Sequence, residues 1–294
     1  MASSSLRSKT SFHARSISFP SRSHPLTPQF DECLCRVKAS EATSSSLPSI
    51  SKRLSGLEEL YDCVDDLLLL PHTQQVFAQE HSQKWVDEAL AGHLRLLDVC
   101  AIAKDVFSQT KQDVQNLLSI LRRRRDANDF GEYLSSQKKV KKVIQKSLKD
   151  LKRIRNIESL LALDKDHQTV AIFRMLNEVE VVTVAAFESL LSYIVGSKVQ
   201  SRPSGWSLVS KMMHQKSVSW QNETDTNEFE KVATALCTLT SHKTSKSDNV
   251  MNVENLQNQL GKMDSLIQDV EEQLACLFRR LIRTRVSILN ILSN

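Results

Sequence analysis

An all-α fold is what this sequence predicts: an antiparallel bundle of long helices behind a disordered N-terminal arm. Three observations carry it. The 294 residues are 40% apolar yet include only 6 Gly and 6 Pro, too little turn chemistry for a sandwich, a barrel or a βαβ array. Aromatic residues make up 5% while leucine is abundant, which suits helix packed on helix. Apolar residues also recur at three- and four-residue spacing over long stretches. A chain of this length can bury a sizeable core without disulfides or metals.

Residues 1–50 are rich in Ser and Pro, carry four basic residues before the first acid at Asp31, and show no sustained periodicity, so they are expected to form the arm. Residues 51–294 are expected to form the bundle domain, with polar linkers near 196–228 and 241–250. Its first helix places Leu57, Leu60, Val64, Leu67 and Leu68 on one face and stops at Pro71. A long second helix runs from Lys84 to the "LRRRR" string, with Leu90, Leu94, Leu97 and Ala101 and then Val114, Leu118 and Leu121 as its stripe, and Gly92 as its weak point. The pattern resumes after Gly131 with Val140, Ile144, Leu148, Leu151, Ile154, Ile157 and Leu161. A fourth helix carries Phe173, Leu176, Val179, Phe187, Leu190 and Ile194 and ends near Gly196. Shorter helical segments follow at "WSLVSKMM" and "NEFEKVATALCTL".

The last segment is the most regular. Val253, Leu256, Leu260, Met263, Ile267, Val270, Leu274, Leu277 and Leu281 step by alternating threes and fours, and Ile288 and Ile291 continue the seam after Thr284. Such a seam can dock in cis on the earlier helices or pair with a second copy, and the unsatisfied faces of those helices favour docking in cis. Monomer and homodimer both remain open. The closing string "LFRRLIRTRVSILNILSN" has an apolar arc wider than the seam, which suggests burial against at least two helices, with Arg279, Arg280, Arg283 and Arg285 reaching acids elsewhere.

No nucleotide-binding glycine loop, metalloprotease HExxH or nucleophile-elbow GxSxG is present. The paired acids Asp65-Asp66, Glu178/Glu180 and Glu271-Glu272 lie on amphipathic helices, where solvated faces explain them. The six cysteines form no CxxC pair and have no histidine at ligand spacing, so no metal or cofactor is expected and the thiols read as reduced, with Cys63, Cys100 and Cys276 in helical apolar surroundings. No stretch approaches the roughly 18 apolar residues of a membrane span. The expected localisation is cytoplasmic, peripheral to a membrane at most, with the plastid as the alternative.

One charged constellation is sharper. Between Arg122 and Arg155 thirteen basic residues face four acids, and Lys138, Lys142, Lys146, Lys149 and Arg153 step by three and four into a row opposite Val140, Ile144, Leu148 and Leu151. The row suits anionic lipid, and no aromatics interleave to stack bases, which argues against nucleic acid. A solvated face balanced by acids on neighbouring helices is the plainer reading.

The strings "HARSISFPSRSHP", "WVDEALAGHLRLLDVC", "LRRRR", "SSQKKVKKVIQKSLKDLK" and "LFRRLIRTRVSILNILSN" resemble, in order and over almost the whole chain, the plant-specific domain of unknown function 241 grouped with the BYPASS-like proteins. The resemblance implies a regulatory or scaffold role in root and shoot development and supplies no catalytic residues. With no catalytic motif, the chain is expected to be non-enzymatic and to act through helix-mediated protein interactions and a phosphorylatable arm, with binding of anionic lipid by the basic helix face as the alternative. Within the arm, Arg15-Ser16-Ile17-Ser18-Phe19-Pro20 has the arrangement R-S-x-S-x-P, a basic residue before the serine and a proline after it. That arrangement resembles the ligands of 14-3-3 proteins, which hold a phosphoserine in an arginine cluster, so Arg15, Ser18 and Pro20 form an expected phosphorylation and docking site. The same Ser-rich, acid-poor stretch also has the composition of a transit peptide.

Overall fold

The computed structural model describes residues 26–41, 46–79, 82–123, 130–161, 169–196, 227–241 and 246–293, and among them it contains eight helices and no strand. These are α1 (Leu26–Glu41), α2 (Leu47–Leu68), α3 (Pro71–Phe77), α4 (Gln83–Arg122), α5 (Phe130–Leu161), α6 (Thr169–Val195), α7 (Glu228–Ser241) and α8 (Lys246–Ser293). The motif residues Arg15, Ser18 and Pro20 and the "WSLVSKMM" segment lie outside the described residues.

Helix α8, 48 residues long, is the spine. It packs chiefly on α4 and α2, and every seam residue from Leu256 to Leu281 is buried within the chain, with Val253 half-buried at the edge. Lys111 pairs with Glu271 while Gln115 meets Asp264, so α4 and α8 run antiparallel. Gln273 meets Ser55 while Thr284 meets Asp65, so α2 runs alongside α8 in the same direction. Helix α6 closes the other side of α4, through Phe173 against Trp85 and Glu180 against Arg95. Helix α5 covers α4 and α6.

Four expectations need correction. The arm does not reach residue 50, because α1 presents Phe30, Cys33, Leu34 and Val37 as a buried stripe against α2. Two turns of stripe inside a Ser-rich stretch give little local signal, and the helix draws its stability from packing. Pro71 does not simply stop a helix: α2 ends at Leu68 and Pro71 opens α3, at a position where its missing N–H costs nothing. In α4 the second half of the expected stripe, Val114, Leu118 and Leu121, is buried, but the first half is out of phase. Leu94 is exposed and Leu97 and Ala101 are half-buried, whereas the buried face runs through Gly92, His93, Leu96, Cys100, Ala103, Phe107 and Thr110. Its polar members are invisible to an apolar count. Finally, the wide arc of the C-terminal string is only partly covered, since Ile282, Val286 and Leu289 are exposed.

Two helix ends are set by local chemistry. Gly196 takes φ +88° directly after α6, a left-handed conformation that glycine adopts without a Cβ clash. Asn227 caps α7, its Oδ1 accepting from the Glu230 N–H at 2.8 Å.

Candidate functional site

Helix α5 separates its two chemistries cleanly. Val140, Ile144, Leu148 and Leu151 are buried, and Lys138, Lys142, Lys146 and Lys149 are exposed on the outer side, joined by Lys139 and Lys152. The backbone of Arg153 continues the helix, while its side chain lies outside the described residues. None of the four lysines forms an ion pair among the described residues; the paired cations are elsewhere, on α1, α4 and α8. The acids of the neighbouring helices are therefore not spent on this row. Beside it, between α4 and α5, a cleft of about 600 Å³ is lined by Asp113, Tyr133 and Lys139 among others. Asp113 is already engaged there, accepting from Gln109 at 3.0 Å and from Gln137 at 3.4 Å. Burial pushes the Tyr133 phenol upward, so it stays neutral as a donor.

The second constellation lies between helices, and the sequence reading did not assemble it. Under α8, Asp65 accepts from Thr284 Oγ1 at 2.7 Å and from Arg283 Nε, and Asp62 accepts from Arg280 and, at 2.8 Å, from Arg283. Arg285 donates to the Leu90 carbonyl. Of the four C-terminal arginines expected to reach acids, Arg280 and Arg283 do so, both on α2, whereas Arg285 meets a backbone carbonyl. Across the core, Glu180 of α6 accepts from Arg95 at 3.1 Å, and Arg95 also holds Glu88 at 3.1 Å. Tyr61 and Thr183 share a buried hydrogen bond at 3.2 Å. His93 packs edge-on to Tyr61, its Nδ1 lies 2.9 Å from the Ala89 carbonyl, and its buried Nε2 has no partner among the described residues. Burial drives the imidazole below its ordinary range, with the Ala89 carbonyl opposing and Arg285 adding to the effect. Both polar groups are structural in geometry: each acid already has its donors, and no cluster of three His, Cys, Asp or Glu suited to a metal occurs among the described residues.

No described helix is long and apolar enough to cross a membrane. A family model described as Protein BPS1 matches residues 53–291, from the first turns of α2 to the end of α8. The chain belongs to the BPS1 family. This is the plant-specific grouping of domain of unknown function 241, and membership makes the chain a plant development-related protein. A search of curated proteins and a search of solved structures found no match. The match to the BPS1 family takes in α2 to α8 with the lysine row and the seam, and leaves α1 and the R-S-x-S-x-P motif outside it.

Proposed function

We propose that this chain works by binding and not by chemistry, as a non-enzymatic regulatory scaffold in root and shoot development whose working surfaces are the lysine face of α5 and the N-terminal arm. The observation that carries the reading is the row Lys138, Lys142, Lys146 and Lys149, exposed and without ion pairs among the described residues, on a helix anchored by its opposite face. Four cations in a straight line over roughly 17 Å of helix match an extended acidic surface better than a small ligand. An anionic membrane is the surface that fits, since each lysine near it contributes about 1 kcal/mol and the row needs no shape-matched partner. The site of action is then the cytoplasm and the periphery of its membranes.

Vesicle sedimentation tests this. The parent should sediment with phosphatidylserine-containing vesicles and not with phosphatidylcholine alone, less so as salt rises. The variant carrying Lys138→Gln, Lys142→Gln, Lys146→Gln and Lys149→Gln should lose most of that binding with unchanged helical circular dichroism. Equal sedimentation of parent and variant removes the lipid reading.

For the arm, the proposal is that phosphorylation of Ser18, with Arg15 before it and Pro20 after it, recruits a 14-3-3 protein to the scaffold. A peptide spanning Ser11 to Pro25 should bind 14-3-3 only when Ser18 is phosphorylated. A mature plant protein whose N-terminus begins beyond Pro25 would make the segment a transit peptide instead.

A further inference from the structure

Cys33 of α1 and Cys63 of α2 bring their sulfurs to 3.6 Å, van der Waals contact, with Cys63 donating to Cys33. Both are free thiols. The pair is buried, yet it forms the floor of a cavity of about 380 Å³ between the two helices, so a small reagent has a route to it. Arg36, one turn on from Cys33, donates to the Cys33 sulfur at 3.2 Å. We propose that Cys33 and Cys63 are an oxidisable dithiol, converted by hydrogen peroxide to a disulfide that clamps α1 to the bundle.

Each structural feature has a place in that chemistry. The attacking form of a cysteine is its anion, and Arg36 keeps a positive charge beside the Cys33 sulfur. Burial, and then the contact with Cys33, push the Cys63 thiol up to about 12. Cys63 therefore stays a thiol through the first step and gives up its proton, to the departing hydroxyl, only as its sulfur attacks in the second. In the first, the Cys33 sulfur attacks one peroxide oxygen; an S–O bond forms, the O–O bond breaks, and the departing hydroxide takes the proton Cys33 has shed and leaves as water. In the second, the Cys63 sulfur attacks Cys33; an S–S bond forms, the S–O bond breaks, and the hydroxyl leaves as water with the Cys63 proton. Two thiols lose two electrons and two protons, and one peroxide becomes two waters. The sulfurs must close from 3.6 Å to about 2.05 Å for the bond to form. Four carboxylates, Glu32, Glu59, Asp62 and Asp66, rim the cavity. They admit neutral peroxide and repel an anionic oxidant such as glutathione disulfide.

The consequence lies in α1. This helix precedes the segment matched by the family and is the link between residues 1–25 and the core, held non-covalently by its buried stripe of Phe30, Leu34 and Val37 and by the exposed pairs Arg36 with Glu59 and Lys38 with Glu178. A covalent tie at Cys33 removes its freedom to lift off.

The test uses the full chain. After millimolar peroxide, then alkylation and digestion without reductant, mass spectrometry should find a peptide joining Cys33 to Cys63, two hydrogens lighter than the separate pieces. Thermal unfolding should rise by roughly 5–10 °C and return on reduction. Cys33→Ser should leave Cys63 unmodified. Cys63→Ser should leave Cys33 oxidised to the sulfenic or sulfinic stage. Arg36→Gln should slow the joining by roughly tenfold while lowering the reduced protein's unfolding temperature only slightly, since its pair with Glu59 is more than half exposed. Glutathione disulfide at the same concentration should react more slowly than peroxide. Two free thiols after peroxide treatment of the folded parent, or Cys33 joined to Cys35 instead, would overturn the proposal.

Discussion

Gly92 of α4 lies directly against the carboxylate of Glu180 from α6, in the space where any other residue carries its Cβ. A methyl at position 92 would stand 2.6 Å from the Glu180 carboxyl carbon. In an exposed helix interior Gly→Ala gains about 1 kcal/mol; here the sign should reverse. Gly92→Ala displaces a buried carboxylate from Arg95, its partner at 3.1 Å, and should cost about 2–3 kcal/mol. Denaturant unfolding measures it, and a variant as stable as the parent would show that Glu180 swings clear at no cost.

Where apolar spacing alone decides an element, the sequence was readable. The α8 seam is the clearest instance, because each step from Leu256 to Leu281 is an aliphatic residue or methionine and each is buried. The α5 lysines could be placed outside for the same reason, opposite Val140 and Ile144. The first half of helix α4 misled because its buried face mixes Gly92, His93 and Thr110 with apolar residues, while Leu90, Leu94 and Leu97 made a cleaner pattern at the wrong phase; Val114, Leu118 and Leu121 further on are buried as their spacing implied. The polar seam was unreadable for another reason. Arg280 and Asp62 are 218 residues apart, and which acid meets which arginine is set by the register of α2 beside α8, on which periodicity is silent. The same holds for Cys33 and Cys63, whose contact depends on α1 being a packed helix.

Thr284 explains the one interruption of the seam. It is fully buried where an aliphatic residue would continue the pattern, and its hydroxyl donates to Asp65, itself nearly buried. Thr284→Val keeps the shape and removes the donor, so it should cost about 1–2 kcal/mol although it makes the seam more apolar. A gain in stability would mean that Arg283 alone satisfies Asp65.

The seam itself should be indispensable in the isolated chain. Leu260 and Leu274 are completely buried, and the Leu274 carbonyl also faces the Cys100 thiol at 3.6 Å. Leu274→Ala should cost about 2–5 kcal/mol. Leu260→Asp with Leu274→Asp buries two unpaired charges and should abolish cooperative unfolding by circular dichroism. A double variant that keeps its helix signal and only changes sedimentation from dimer to monomer would assign the seam to a second copy.

His93 should make stability depend on pH in a defined direction. Its folded imidazole titrates below the unfolded value of about 6.5, because burial disfavours the charged form. Above that value both states are neutral and the residue contributes no pH dependence. As pH falls through it, the unfolded chain takes up a proton that the folded chain does not, and stability declines by at most about 1.4 kcal/mol per pH unit. The decline ends once pH passes the lower folded value, where both states are protonated. His93→Gln retains a donor for the Ala89 carbonyl and does not titrate, so its unfolding free energy should lack this component. Guanidinium melts of parent and variant at several pH values between 7.5 and 5 give the difference directly, with the other histidines common to both. Parallel pH curves would mean that the imidazole is reached by water and titrates as it does in the unfolded chain.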